Sequence, residues 1–334
     1  MFKRRTLFVV GAGASAEVNF PVGTQLASII GQKADIRFEE FNKPVGKGDI
    51  DLFVQLTRQL TYQADEYQKA GCIIRDGVGY SQSIDDFLDQ HRSNDIVNLF
   101  GKAAIVKAIL EAEKKSKLYI DPAKSRGPAP DDWANTWFVK FMQILTRGIA
   151  KEDVDTVCDN VSFIVFNYDR CVEHFLAYAL SRSYDIYEDH AMSIVSKTPV
   201  IHPYGLVSRQ VPFGQTSVNY FEQSKGIKTY TEQIHSPTVA RIQDEIKKAE
   251  CIVFLGFAYR SPNLPLLTSG PSTPRPIFGT AWGMSDADVQ VVRSKLRSSF
   301  APQEPDSSPS LQIDNKLKAA GLFDHYAMSL AGGD

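Results

Sequence analysis

A chain of 334 residues, 43% hydrophobic and 23% charged, has ordinary globular make-up and the length for one large core or two moderate ones. Its net charge of -2 gives no global pull toward nucleic acid or membrane, and the absence of any run of about 18 apolar residues argues against a membrane span. The four cysteines, Cys72, Cys158, Cys171 and Cys251, form no C-x-x-C pair, so no zinc ribbon is encoded; scattered thiols fit a reducing, cytoplasmic setting better than a disulfide scaffold.

The first segment imitates a secretion signal: Lys3-Arg4-Arg5, an apolar run, then Ala14-Ser15-Ala16. The run Leu7-Phe8-Val9-Val10 falls short of the roughly 7–15 apolar residues such a signal needs, and reads instead as a buried strand entering a glycine turn. A helix is expected over about 24–30, and residues 50–115 look mostly helical, with Ser83 capping a helix start. Residues 116–131, rich in Lys, Pro and Gly, break the pattern; the basic side chains of Lys114, Lys115, Lys117, Lys124 and Arg126 read as a solvated loop. An aromatic helix through Trp133 and Trp137 follows and belongs to the core. Further strands are expected at 161–166, 199–201, 251–255 and 276–282, with helices at 170–180, 237–250 and 285–296 between and after them. Residues 301–310 have linker composition, and no internal repeat is present. The pattern predicts an α/β Rossmann-like, doubly wound parallel sheet from residues 1–40 and 155–300. A helical insertion at 41–154 interrupts it, and a linker with a short helix at 301–334 follows.

The chemistry concentrates at strand ends. Gly11-x-Gly13-x-x-Ala16 lies between a strand and a helix, where the first glycine permits a tight turn, the second lets backbone approach a pyrophosphate, and the small third residue allows close packing. The alternative is a plain tight turn. A dehydrogenase would also carry an acidic residue about 20 positions on, ending a second strand; Asp35 is near that place, but Ile29-Ile30-Gly31-Gln32-Lys33 is no convincing strand. Asn167-Tyr168-Asp169 ends the strand at Phe166, either facing a ligand crevice or capping the next helix. His202-Pro203-Tyr204-Gly205 follows another strand, and Gly256 a fourth.

Together these segments resemble the sirtuin superfamily, and within it the zinc-free, sirtuin-like proteins of bacterial defence systems. The resemblance is carried by Val9-Val10-Gly11-Ala12-Gly13-Ala14-Ser15 with Phe20-Pro21-Val22-Gly23, by Phe166-Asn167-Tyr168-Asp169, by Ile201-His202-Pro203-Tyr204-Gly205, and by Val253-Phe254-Leu255-Gly256-Phe257. It implies NAD+ as substrate, with Gly11, Ala12, Gly13, Ala14, Ser15, Pro21, Gly23, Tyr168, Gly256 and Phe257 around the dinucleotide. It implies Asn167 and Asp169 beside the nicotinamide ribose and His202 as the catalytic histidine. Two departures qualify it. The missing ribbon lowers deacylation relative to NAD+ hydrolysis, and no zinc or other metal is expected. In the family a histidine stands immediately before the glycine; here Tyr204 does, and His202 lies two residues upstream, so either residue is a candidate for that place.

The resemblance thus implies a cytoplasmic NAD+ glycohydrolase that releases nicotinamide and ADP-ribose and acts by NAD+ depletion (abortive infection) in antiviral defence. It also implies regulation through a homo-oligomer, or through a HerA-type ATPase or Argonaute-like partner. The alternatives are a non-catalytic NAD+ or ADP-ribose-binding subunit or scaffold, and a deacylase or ADP-ribosyl transferase.

Overall fold

The computed structural model describes residues 1–39, 43–59, 61–124, 127–207, 210–229, 232, 234–261, 263–268, 274–300 and 310–332. Strand β1 (Thr6–Val10) runs into a single helical turn, α1 (Ala12–Ser15), and then α2 (Gly23–Lys33). A two-stranded antiparallel hairpin, β2 (Phe38–Glu39) and β3 (Lys43–Pro44), precedes α3 (Ile50–Thr57), α4 (Ala64–Gly77), α5 (Ile84–Gln90) and α6 (Asp95–Lys115). Helix α7 (Trp137–Leu145) leads to β4 (Val161–Val165), α8 (Cys171–Tyr184), α9 (Glu188–Lys197) and β5 (Val200–Ile201). The short α10 (Tyr220–Ser224) and α11 (Ser236–Lys248) then lead to β6 (Cys251–Leu255) and β7 (Ile277–Thr280). The chain continues through α12 (Asp286–Ser299), β8 (Leu311–Asp314) and α13 (Ala319–Ala331).

Six strands form one sheet in the order β5-β4-β1-β6-β7-β8, and every pairing in it is parallel. β1, β4 and β6 are buried at all five positions, so both faces of the sheet are covered, as a parallel sheet requires. Counting sheet strands along the chain gives 3-2-1-4-5-6, a doubly wound Rossmann order whose direction reverses between β1 and β6. Phe8 anchors one face: its ring packs on Phe2, Phe141, Phe163 and Phe323, which ties α7 and α13 to the central strand. Trp133 and Trp137 are buried, and the Trp137 indole donates to Ala14 O at 3.1 Å.

The inserted helices pack on one another around α6, whose residues from Ala103 to Leu110 are all buried. Helix α2 joins this group, and so does α10 from the segment after β5. A buried ion pair ties the group to the Rossmann core. Glu113 of α6 accepts from Arg170 Nε at 2.9 Å and Nη2 at 2.7 Å, and also from Gly214 N.

Two stretches differ from expectation. The helix expected over about 24–30 is present as α2, but the glycine turn ahead of it also carries the single turn α1, which the sequence did not announce; Asn19, at φ 72°, lies between the two. Near the C-terminus, 301–309 of the expected linker lies outside the described residues, and beyond it β8 pairs with β7 before α13. β8 is an edge strand in which only Ile313 is buried, so it lacks the continuous apolar run that marked β1, β4 and β6.

Candidate functional site

A cleft of about 590 Å³ lies over the carboxyl ends of β1, β4 and β6, at the point where strand order reverses. That is where open α/β sheets bind ligands, and the size is that of a small-molecule site. Of the residues singled out from the sequence, Gly11, Ala12, Gly13, Gly23, Asn167, Gly256 and Phe257 line it, and so does Tyr204. Ala14, Ser15, Pro21, Tyr168, Asp169 and His202 are not among its lining residues.

The glycines have a packing explanation. A Cβ on Gly11 would stand 2.5 Å from Gly256 O, and one on Gly13 2.9 Å from Gly256 Cα. Gly256 has φ +55°, and a Cβ there would meet Ala14 N at 2.0 Å. The ends of β1 and β6 are therefore pressed backbone to backbone. Gly11 N donates to Leu255 O (2.9 Å), Gly13 N to Gly256 O (3.0 Å) and Ala14 N to Gly11 O (3.0 Å). Three amides of the turn, those of Gly11, Gly13 and Ala14, thus donate inside the protein, and α1 is a single turn.

Asn167 is buried at the end of β4, where its Nδ2 donates to Ser15 Oγ at 3.1 Å, so Ser15 holds the asparagine from behind. Asp169, one residue before the N-cap Arg170, accepts from Cys171 N at 3.1 Å, a local hydrogen bond at the start of α8. His202 lies behind the cleft wall with its side chain 2% exposed. Its Nε2 is 3.0 Å from Glu173 Oε1 and its Nδ1 3.3 Å from Asn167 O. Between the two candidates for the histidine place, Tyr204 is the one that reaches the cleft, and its hydroxyl donates to Asn263 Oδ1 at 2.6 Å. Burial, with the charge of Asp85 beside it, pushes the Tyr204 phenol up from its ordinary range.

Asp35 is no ribose ligand by position. It accepts from Arg37, Arg75 and Lys47 N near the β2–β3 hairpin, and the Arg37 hydrogen bonds, ahead of the others, hold its carboxyl low. The strand beside β1 that follows it in the sheet is β4, so the insertion displaced the second strand far from its usual place in sequence.

Sequence reasoning missed the opposite wall. Ser83, Asp85 and Asp86, at the start of α5, line the cleft from the inserted region. Ser83 Oγ accepts from Asp86 N at 3.1 Å, which is the cap expected from sequence, but nothing in that pattern says that the helix end meets a crevice. Asp86 also faces Arg260, at 3.4 Å, and Arg260 donates to Gln82 O, so the loop after β6 is bridged to α5. Asp85 is half-buried; burial first, and the Asp86 charge after it, push its carboxyl up to about 6. At the β7 end the Lys318 ammonium sits 5.0 Å from the centre of the exposed Trp282 ring. Among the described residues, no three His, Cys, Asp or Glu side chains converge as a metal site, and no helix is long and apolar enough to cross a membrane.

No family model matches the chain, and no curated protein sequence matches it. Among solved structures it is similar to a Sir2 homologue in complex with NAD, at 12% identity and a TM-score of 0.40, over 98% of this chain and 91% of that one. It is similar to a mutant Sir2 homologue in complex with 2'-O-acetyl ADP-ribose, at 13% identity and a TM-score of 0.39, over 98% and 94%. A third similarity is to a mutant Sir2 homologue in complex with ADP-ribose, at 12% identity and a TM-score of 0.37, over 98% and 92%.

Proposed function

We propose that the cleft binds NAD+ and hydrolyses its nicotinamide–ribose bond, releasing nicotinamide and ADP-ribose. The observation that carries this reading is the position of Asn167, which lines a cleft over the β1–β6 reversal of a Rossmann-ordered sheet. The sequence resemblance to zinc-free sirtuin-like proteins supports the choice of dinucleotide. In this reading Asn167 hydrogen-bonds the nicotinamide ribose or the attacking water, and carboxylates of the cleft stabilise positive charge developing on the sugar. Asp169 supports the turn through its hydrogen bond from Cys171 N. His202, at 3.3 Å from the Asn167 carbonyl, is a positioning residue for the asparagine. NAD+ depletion in defence, a homo-oligomer, a HerA-type or Argonaute-like partner and a cytoplasmic setting rest on the resemblance alone.

The test is nicotinamide release from NAD+ by the purified chain, read beside calorimetric NAD+ binding. Asn167→Ala is expected to lower release on the order of 100-fold while the protein stays folded. NAD+ binding without release would overturn hydrolysis and favour a non-catalytic NAD+- or ADP-ribose-binding subunit. One observation favours that second reading: Tyr204, not a histidine, faces the cleft, and its hydroxyl is tied to Asn263. Absence of NAD+ binding would overturn both.

A further inference from the structure

If water attacks the ribose in this cleft, some group must take its proton. No histidine is among the lining residues. The titratable acceptors that do line it are Glu17, Asp85, Asp86 and Tyr204. Both Glu17 carboxylate oxygens already accept backbone N–H groups, Oε2 from Trp137 and Oε1 from Ala320, each at 2.8 Å. Asp86 is held by Ser83 at 2.9 Å and faces the Arg260 guanidinium. Tyr204 is engaged with Asn263, and its phenol is raised. Asp85 remains. Only its Oδ1 has a side-chain hydrogen-bond partner among the described residues, the Tyr168 hydroxyl at 2.5 Å.

That hydrogen bond has a proton-counting consequence. Tyr168 Oη is also 3.0 Å from Lys228 O, yet a phenol carries one hydrogen. Both contacts are satisfied together when Asp85 is protonated and donates to Tyr168, which then donates to Lys228 O. When Asp85 is ionised, Tyr168 turns its hydrogen to the carboxylate. Tyr168 thus serves either protonation state without moving a heavy atom. The charged and titratable groups facing the pair are Asp86 on the same helix, Arg260 after β6, Tyr204 after β5, and Glu232, whose charge acts on Tyr168.

We propose that Asp85, supplied by the inserted helical region, is the general base for the attacking water, with Tyr168 as its positioning residue. The inference rests on the hydrolysis reading above. In the step, the water oxygen bonds to C1′ of the nicotinamide ribose. The C1′–nitrogen bond breaks, its electron pair staying on nicotinamide and neutralising the ring charge. The proton shed by water passes to the Asp85 carboxylate and afterwards to solvent. A carboxyl raised to about 6 is a stronger base than an ordinary one and is still mostly ionised at neutral pH.

The experiment measures nicotinamide release against pH for the wild-type chain, Asp85→Asn and Tyr168→Phe, with NAD+ binding measured calorimetrically on each. A base must be ionised to act, so wild-type kcat is expected to fall as pH drops through about 6. Asp85→Asn, which preserves shape, is expected to lose on the order of 100-fold in kcat and the acid limb with it, with NAD+ affinity within about threefold. Tyr168→Phe removes a hydrogen bond that favours the charged form, so its acid limb moves to higher pH. Release by Asp85→Asn within about tenfold of wild type, or an unchanged acid limb in either variant, would overturn the assignment while leaving hydrolysis standing. Binding without release by the wild type at every pH would overturn hydrolysis itself and this role with it. Should Asp85→Asn fail to fold, the limb of Tyr168→Phe decides alone.

Discussion

The two walls of the cleft are built on opposite principles. On the sheet side, Gly11, Gly13 and Gly256 bring two strand ends into direct backbone contact, and the Gly11, Gly13 and Ala14 amides donate to carbonyls. On the insert side, the start of α5 presents Ser83, Asp85 and Asp86 on a helix bridged to the core by an ion pair and the Tyr168 hydroxyl. One wall is fixed by sterics that tolerate no added atom; the other is held by polar groups that water or a ligand can replace. Substitutions on the first should appear as lost stability, and on the second as altered chemistry in a folded protein.

The largest stability effect is expected at the joint between the two parts. Glu113 has a fully buried side chain paired bidentately with Arg170, itself nearly buried. Glu113→Ala leaves a guanidinium in the interior with its carboxylate partner gone, which costs about 3–5 kcal/mol. Urea unfolding measures this. A loss under about 1 kcal/mol would mean that the insert is held by apolar packing around α6 and not by this pair.

Gly256→Ala comes next. The new methyl would require a left-handed conformation of a residue with a Cβ and would meet Ala14 N at 2.0 Å, with no flexible side chain to give way. The two effects together are expected to cost about 2–4 kcal/mol. If Gly256→Ala instead melts like wild type but loses NAD+ binding, the glycine serves the ligand and the contrast between the walls is wrong.

The sheet wall was legible in sequence for physical reasons, and the insert wall was not. Continuous apolar runs at β1, β4 and β6 announce strands buried on both faces, and the glycines and polar residues after them mark the carboxyl ends of a parallel sheet. The fold class follows from those features, and Asn167 lines the cleft as its strand-end place implies. Sequence favoured His202 over Tyr204, but residues two apart in a turn differ in direction, and the backbone brings Tyr204, not His202, to the crevice. β8 was hidden by its half-exposed edge position. Asp85 was hidden more deeply. Its local pattern is an ordinary capped helix start, and its relation to Tyr168 spans 83 residues of chain, so no spacing rule connects them. Gly13 was read as a close-approach glycine facing a phosphate, and the close neighbour that a side chain there would meet is the Gly256 backbone.

The smallest stability effect is expected at the Arg260–Asp86 bridge in the cleft lining. Arg260 meets Asp86 at 3.4 Å with both side chains well exposed, at 34% and 27%. An ion pair so open to water is worth about 0–1 kcal/mol, because solvent screens the attraction and two long side chains must be ordered to form it. Arg260→Ala should therefore melt within a few degrees of the wild type. Its consequence should be kinetic. With the bridge gone, α5 keeps its Ser83 cap and the Tyr168–Asp85 hydrogen bond but loses its tie to the loop after β6. Ligand association and dissociation, followed by stopped flow, should both quicken. A drop in stability of about 2 kcal/mol or more with unchanged rates would show that this bridge holds the insert in place, and that the wall carrying Asp85 is as fixed as the glycine wall it faces.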